Sequence, residues 1–322
     1  MRQSNFPTAC NSCIISLSEV IMQQEQKNMK RELALICAAL FTYTALSNIL
    51  YAAISRILAA LGTSAADPSL SPYFEGICYI LPMAASILIL YREDIDLRLC
   101  NTGSVFFRFS PVLILAVYLP VQLAAGYINS ALESVGIRSY AQLDGIAEGI
   151  LPLVEALIFS AVLPAFLEEI LFRGLILQRL RKYGDYFAVI VSSLLFVSLH
   201  STLYALPMVF ILALLFAYTD IQAGSILPSI FMHCINNSLS VALLWISLHR
   251  TDMYEKTVSL LVFLSLICLG VATFVYTSAR RFGKVQKLSR GITPIRCFTS
   301  IALIVYLGAM GGIIFYLTGA AS

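Results

Sequence analysis

The chain has 322 residues, of which 59% are hydrophobic and only 12% are charged, and its formal net charge is +3. This balance excludes an ordinary soluble domain and is typical of a multi-pass helical membrane protein. The small net charge gives no indication of a nucleic-acid partner. The predicted fold class is therefore an all-α, polytopic transmembrane helix bundle, with about eight or nine spans in the lipid bilayer.

Residues 1–32 are polar and are predicted to form a cytosolic tail, with no cleavable signal peptide because no apolar core follows a basic start. Nine apolar segments follow, each long enough or nearly so to cross a hydrocarbon core about 30 Å thick. They cover 33–55, 73–91, 111–131, 148–178, 186–204, 206–220, 225–248, 257–279 and 298–319. We divide them into N-terminal helices over 33–147, a central core over 148–248 and C-terminal helices over 249–322.

The distribution of Lys and Arg between the loops predicts the orientation of the spans. With the N-terminus inside, the cytosolic segments hold sixteen of these residues and the opposite loops hold four. This excess predicts a cell-membrane protein with a cytosolic N-terminus and an odd number of spans. The basic stretch 280–296 belongs to the same signal, and its charges also suit contact with anionic lipid headgroups.

The fourth span carries the charged motif Glu168-Glu169-x-x-x-Arg173 inside an otherwise apolar run. A charge near the bilayer centre costs about 2.5–3.5 kcal/mol on insertion scales, so three together indicate a functional site. Glu169 and Arg173 are four residues apart on one helical face, and we expect them to form an ion pair. Glu168 lies about 100° further round the helix, which leaves its carboxylate available for other work.

Two further spans each carry a histidine four residues from another residue that can share its helical face. Phe196 and His200 are four apart in the fifth span. His233 and Asn237 are four apart in the seventh. A rise of ~1.5 Å per residue gives depths of ~16 Å for Glu168, ~21 Å for His200 and ~12 Å for His233. We expect these groups to meet in one cavity that opens to the cytosol, because buried polar groups need partners.

These residue types suit hydrolysis of an amide bond in or beside the membrane. A desolvated glutamate is a suitable general base for water, and imidazole and amide groups can donate to the oxygen of a tetrahedral intermediate. Alternatively, Glu168, His200 and His233 hold a zinc ion that activates the water. The sequence leaves both routes open, and it contains neither a His-Glu-x-x-His helix nor a Gly-x-Gly-Asp site.

In order and spacing, the three motifs resemble those of the CPBP family. This family comprises the type II CAAX-processing prenyl endopeptidases and the bacterial bacteriocin-processing or immunity proteins. The resemblance covers about residues 148–248, and it implies an intramembrane, glutamate-dependent endopeptidase with a bundle of about eight helices. Members are commonly labelled metalloproteases, although a metal-free mechanism has been argued for the eukaryotic enzyme.

The resemblance assigns a role to each residue of the predicted site. That site consists of Glu168, Glu169, Arg173, His200, His233 and Asn237. Glu168 resembles the glutamate that activates water with the help of His200. His233 and Asn237 resemble the pair that stabilises the oxyanion. The remaining glutamate and the arginine are implied to support the site by pairing with each other.

A second hypothesis is that the same fold acts without catalysis, as a membrane scaffold or immunity protein that binds a peptide or partner. A transporter is a third, because buried Glu and His also occur in proton relays. The sequence lacks the inverted repeats and the broken helix pairs that many transporters have. For a protease, a membrane-associated peptide or protein is the expected substrate. The sequence indicates neither whether that substrate is prenylated nor the oligomeric state.

Overall fold

The computed structural model describes residues 11–64, 71–91, 103–137, 146–200, 202–281, 283 and 285–319. Helices joined by turns and loops make up this part of the chain, and no strand occurs in it. The helices are α1 (Asn11–Ala60), α2 (Ser71–Leu90), α3 (Val105–Arg108), α4 (Ser110–Ser134), α5 (Ile150–Arg181), α6 (Asp185–Val197), α7 (Leu206–Ala223), α8 (Leu227–His249), α9 (Thr251–Arg281) and α10 (Ile301–Gly319). Two 3₁₀ turns, Leu203–Ala205 and Pro294–Thr299, precede α7 and α10.

Each of the nine predicted spans corresponds to one of these helices, and the predicted all-α membrane bundle is confirmed. Six stretches are long and apolar enough to cross a membrane, including 42 residues of α1 and 32 residues of α5. Three other apolar helices are shorter, at Gly76–Leu90, Asp185–Val197 and Ile301–Tyr316. The chain is therefore a multi-pass membrane protein.

The segment over 1–32, predicted as a cytosolic tail, contains the start of α1. Residues 1–10 lie outside the described part of the chain, and from Asn11 onward the segment is helical and continues into the first span without a break. Met29 is fully buried and belongs to the main apolar cluster. The helix of the first span therefore begins well before the predicted boundary at residue 33, and the cytosolic location of its start stays a prediction.

The position of His200 also differs from the prediction, which placed it inside the fifth span. Helix α6 ends at Val197, and His200 lies on the turn that follows. The N–H groups of Leu199 and His200 donate to carbonyls three residues back, which tightens the chain and ends the helix. The Ser198 hydroxyl donates to the carbonyl of Leu195 at 2.6 Å and competes with the helical ladder in the same turn.

Helix α5 contains two segments in which the turns are wider than in an α-helix. They cover Leu157–Val162 and Ile170–Leu177. Pro164 has no N–H to donate to the preceding turn, which favours the first wide segment. Glu169 ends the regular stretch between the two segments, and Arg173 lies in the second. Wide turns of this kind occur frequently at functional sites.

The largest apolar cluster surrounds the second wide segment of α5. Five consecutive or nearly consecutive side chains of that segment are fully buried in it, namely Leu171, Phe172, Leu175, Ile176 and Leu177. Other helices supply the rest of the cluster, with members such as Leu33 from α1, Met83 from α2, Phe187 from α6, Ala213 from α7 and Tyr306 from α10. Burial on several sides fixes the rotation of α5, and so it fixes the directions in which its charged side chains point.

Polar contacts fasten the C-terminal end of α5 to α1 and α2. The Arg179 guanidinium donates to the carbonyl of Leu90, at 3.2 Å from Nε and 2.6 Å from Nη2. Its Nη1 lies 3.1 Å from Oε2 of Glu32, and Nζ of Lys182 lies 2.6 Å from Oε1 of the same glutamate. Because Leu90 ends α2, these contacts tie the last turn of α2 directly to α5.

Candidate active site

A cavity of about 570 Å³ lies among α1, α2, α5, α6, α7 and α8. The polar side chains at its surface include Glu168, His200, His233, Asn236 and Asn237. Aromatic rings form much of the remaining wall, among them Tyr43, Tyr51, Tyr79, Phe159, Phe196 and Phe216. The structure thus brings four of the six predicted site residues to one space, and it places the other two, Glu169 and Arg173, behind its wall.

The Glu168 carboxylate is the acidic group at the cavity surface, with 15% of its side chain exposed. Its Oε1 accepts a hydrogen bond of 2.5 Å from the Tyr79 hydroxyl of α2. Its Oε2 lies 3.7 Å from Nε2 of His233, which is too far for a direct hydrogen bond. The two oxygens therefore have different environments, one bonded to the protein and the other turned towards an imidazole.

The adjacent Glu169 is completely buried and contacts two cationic or potentially cationic groups. Its Oε2 lies 3.1 Å from Nε of Arg173, so the predicted ion pair is present. Its Oε1 lies 2.8 Å from Nδ1 of His233, a contact that the sequence did not predict. The angle of about 100° between neighbouring residues of a helix accounts for this division, in which one glutamate faces the cavity and the next faces the core.

Arg173 is buried in a setting that offers several partners to its guanidinium. Besides Glu169, its Nη2 donates to the carbonyl of Ala213 at 3.3 Å. The planar group also lies over two aromatic rings, 4.5 Å from the centroid of Phe196 and 5.6 Å from that of Phe216. Cation–π contacts of this kind are stronger where water is excluded, so they help a buried arginine to keep its charge.

Both histidines pack against the ring of Phe196. The ring centroid of Phe196 lies 5.0 Å from that of His200 and 5.8 Å from that of His233. His200 Nδ1 is 3.1 Å from the carbonyl oxygen of Phe196. Because a carbonyl only accepts, Nδ1 carries the proton in this contact and Nε2 carries the lone pair of the neutral ring. Phe196 and His200 therefore contact each other across the turn that ends α6, and not along one face of a helix.

Asn237 lies on α8 one turn beyond His233 and also lines the cavity. Its Oδ1 accepts a hydrogen bond of 3.1 Å from the amide nitrogen of Asn236. This contact uses the acceptor end of the Asn237 amide. Its Nδ2 is the end that is able to donate to a negatively charged oxygen.

Two residues that the sequence interpretation missed belong to this arrangement. Tyr79 bonds Glu168, and it stood in an apolar run with no motif around it. Asp220 is buried on α7, accepts a hydrogen bond of 3.0 Å from the N–H of Ser229 and interacts electrostatically with Glu169 and Arg173. Asp220 could have been found from the sequence, because it is a carboxylate inside an apolar span. The same reasoning identified the charges of α5.

The predicted metal ligands do not form a ligand set in this arrangement. In the described part of the chain, no group of three or more His, Cys, Asp or Glu side chains is placed to hold a metal ion. One polar atom of each predicted ligand already has another partner: Tyr79 bonds Oε1 of Glu168, the Phe196 carbonyl bonds Nδ1 of His200, and Glu169 bonds Nδ1 of His233. We therefore derive no step through a metal ion.

These features define a polytopic helical membrane protein with a glutamate–imidazole cavity inside the bundle. Residues 150–239 match the family model of type II CAAX prenyl endopeptidase Rce1-like proteins, which is a family of proteases. The match confirms the predicted resemblance, and it supports hydrolysis of peptide bonds as the class of reaction. The matched segment is 90 of the 322 residues, lies within the predicted core 148–248 and contains all six predicted site residues. No curated protein and no solved structure matched the chain.

Proposed function

We propose that the protein is an endopeptidase of the cell membrane that hydrolyses peptide bonds of membrane-associated proteins or peptides. The observation that carries the proposal is the position of Glu168. Its carboxylate is at the surface of the cavity, with Oε1 held by Tyr79 and Oε2 directed towards His233. A carboxylate that is oriented, desolvated and beside imidazole groups has the features of a general base for water.

In the proposed reaction, Glu168 removes a proton from a water molecule in the cavity as the water oxygen attacks the scissile carbonyl carbon. His200 assists through Nε2, because its Nδ1 is engaged by the backbone. The tetrahedral intermediate then collapses, the C–N bond breaks, and the proton held by Glu168 passes to the leaving amine. This sequence needs no group beyond the peptide, the water and the side chains of the cavity.

The oxyanion of the intermediate is proposed to lie between His233 Nε2 and Asn237 Nδ2. Because Nδ1 of His233 contacts the Glu169 carboxylate, donation through Nε2 requires an imidazolium that carries both ring protons. In the intermediate, the positive charges of this imidazolium and of Arg173 balance the negative charges of Glu169 and of the oxyanion, because Glu168 then holds the proton taken from water. Donors that are in place before the reaction are worth more in such a water-excluded site than in solution.

The walls of the cavity suit the apolar side chains of a membrane-associated peptide. The aromatic rings that line it include Tyr43, Phe159 and Phe216, and its polar lining includes Glu168 and the two histidines. Apolar walls with a few convergent polar groups are typical of ligand sites. Prenylated proteins and bacteriocin-type peptides both satisfy this description, so processing of either, or self-immunity, is compatible with the proposed reaction.

The proposal is tested by cleavage of a membrane-presented peptide library by the purified full-length protein. We expect cleavage by the wild type and a loss of about 10²–10⁴-fold in rate for Glu168→Gln, which is the range that general-base catalysis contributes. The matched control is Glu155→Gln, a glutamate of the same helix that accepts from Tyr73 and does not line the cavity. This control is expected to cleave at the wild-type rate.

A parallel reaction with a zinc chelator addresses the metal alternative. Unchanged cleavage after chelation supports water activated by Glu168 without a metal ion, whereas loss of cleavage that zinc restores would replace that mechanism by a metal-dependent one. Failure of the wild type to cleave, together with peptide binding that Glu168→Gln leaves unchanged, would favour the scaffold or immunity hypothesis over the protease.

A further inference from the structure

Tyr79 of α2 contacts the carboxylate to which the proposed function assigns the chemistry. Its hydroxyl donates to Glu168 Oε1 at 2.5 Å, and its ring lines the cavity. It lies outside the segment 150–239 that matches the protease family. We propose that Tyr79 is a positioning residue, an inference that rests on the proposed function. It holds the Glu168 carboxylate in the rotation that presents Oε2 to the cavity and to His233.

The need for such a residue follows from the freedom of a glutamate side chain. The terminal torsion of a glutamate is broad, so the carboxylate plane is poorly defined unless something binds one of its oxygens. A hydrogen bond to an ionised carboxylate is short and about twice as strong as one between neutral groups. Tyr79 supplies one such bond to Oε1, and the 3.7 Å approach of Oε2 to His233 is the geometry that results.

The phenol is itself held in place by its surroundings. The ring of Tyr43 meets that of Tyr79 edge to face, with 6.0 Å between centroids. The Ser47 hydroxyl of α1 donates to the carbonyl of Cys78 at 2.9 Å, directly beside Tyr79 in the chain. These contacts with α1 hold the phenol of Tyr79 in place. The orientation of Glu168 therefore depends on how α1 and α2 pack against each other.

A second Tyr–Glu hydrogen bond joins the same two helices. It provides a control that distinguishes orientation of a carboxylate from attachment of one helix to the other. The Tyr73 hydroxyl of α2 donates to Oε1 of Glu155 on α5, also at 2.5 Å. Neither Tyr73 nor Glu155 lines the cavity. If the role of Tyr79 were only to brace α2 against α5, removal of either hydroxyl would have a similar effect. A positioning role predicts an effect for Tyr79 alone.

The experiment compares Tyr79→Phe with Tyr73→Phe in the purified full-length protein, in nanodiscs, with a membrane-presented peptide that the wild type cleaves. Each substitution removes one hydroxyl and keeps the ring. For Tyr79→Phe we expect kcat to fall by about 10–100-fold, the scale of effect that a misplacement of about 1 Å produces. KM and the melting temperature are expected to stay near the wild-type values. For Tyr73→Phe all three quantities are expected to stay near the wild-type values.

Several results would overturn the inference while leaving the proposed protease function intact. They are an unchanged kcat in Tyr79→Phe, an equal fall of kcat in Tyr73→Phe, or a fall that a lower melting temperature accompanies. A structure of Tyr79→Phe decides the point without any assay of activity, even if the wild type cleaves nothing. The inference expects the Glu168 carboxylate to rotate away from His233, and an unchanged Oε2–Nε2 distance would refute it.

Discussion

At the scale of single residues, the charge of Arg173 is compensated within the protein rather than by water. Glu169 lies at 3.1 Å, the carbonyl of Ala213 accepts from Nη2, and the ring of Phe196 lies below the guanidinium. Ion pairs of this kind add little net stability compared with an apolar packing, because both ions lose their hydration. Their value here is that Glu169 is fixed, and Glu169 in turn orients the imidazole of His233.

Removal of one partner from this buried pair should therefore destabilise the protein strongly. For Arg173→Met we expect the free energy of unfolding to fall by about 3–5 kcal/mol, because the buried carboxylate of Glu169 loses the guanidinium that compensates its charge. The double variant Glu169→Gln/Arg173→Met should recover part of this loss. Unfolding in mixed detergent micelles measures each variant.

The ion pair between Arg250 and Glu148 provides the matched control for this prediction. Its charged atoms are 3.2 Å apart, but 47% and 66% of the two side chains are exposed. Exposed pairs are worth about 0–1 kcal/mol, so Arg250→Met should change the free energy of unfolding by no more than that. Equal effects of the buried and the exposed substitutions would contradict the proposed role of Arg173.

At the scale of helices, the packing of α2 on α5 determines how Tyr79 meets Glu168. Gly76 lies one turn before Tyr79, where α2 approaches the ring of Phe159 so closely that a Cβ on Gly76 would be 2.8 Å from its Cδ1. Real Cβ atoms essentially never approach another atom so closely, so a larger residue would displace the ring or the helix. The glycine thus permits the interhelical distance at which the tyrosine reaches the carboxylate.

Gly76→Ala is therefore expected to change the geometry of the candidate active site, although Gly76 does not line the cavity. We expect a loss of about 1–3 kcal/mol in stability, the usual cost of overpacking, and a lower rate of cleavage as the Tyr79–Glu168 hydrogen bond lengthens. The melting temperature and kcat of the purified protein measure the two effects. Gly270→Ala on α9 is the control, because no atom lies within 4 Å of the added Cβ. Wild-type values for both quantities in Gly76→Ala would refute this account of the packing.

Contacts within one helix were predictable from the sequence, whereas those between helices were not. The Glu169–Arg173 pair follows from a spacing of four residues, and the structure contains it. The bonds of Tyr79 to Glu168 and of His233 to Glu169 join residues 89 and 64 positions apart, and no local pattern encodes such contacts. The boundary before His200 was wrong because it depends on the turn at Ser198, which apolar periodicity does not detect.

At the scale of the whole molecule, the distribution of Lys and Arg predicts which end of the bundle faces the cytosol. Sixteen of the Lys and Arg residues counted in the loops lie on the side predicted to be cytosolic, including Lys287. Helix α9 runs from Thr251 to Arg281, and about 38 Å of it lies between the exposed Lys256 and the end that precedes Lys287. These two lysines therefore report on opposite faces of the membrane.

The orientation is tested by placing a single cysteine at either position, in a background without the eight native cysteines. A membrane-impermeant maleimide should label Lys256→Cys in intact cells, because the positive-inside rule places that loop outside. It should label Lys287→Cys only after the cells are permeabilised. The reverse pattern would show that the N-terminus is outside.

In the proposed mechanism, two adjacent glutamates have separate roles: Glu168 takes part in the reaction, and Glu169 supports the fold. This division of roles is tested most directly by measuring the cleavage rate and the melting temperature of Glu168→Gln beside those of Glu169→Gln. We expect Glu168→Gln to fold as stably as the wild type and to cleave about 10²–10⁴-fold more slowly. Glu169→Gln is expected to have a lower melting temperature, because its contacts to Arg173 and His233 are broken. A Glu168→Gln variant that cleaves as fast as the wild type would contradict this division of roles.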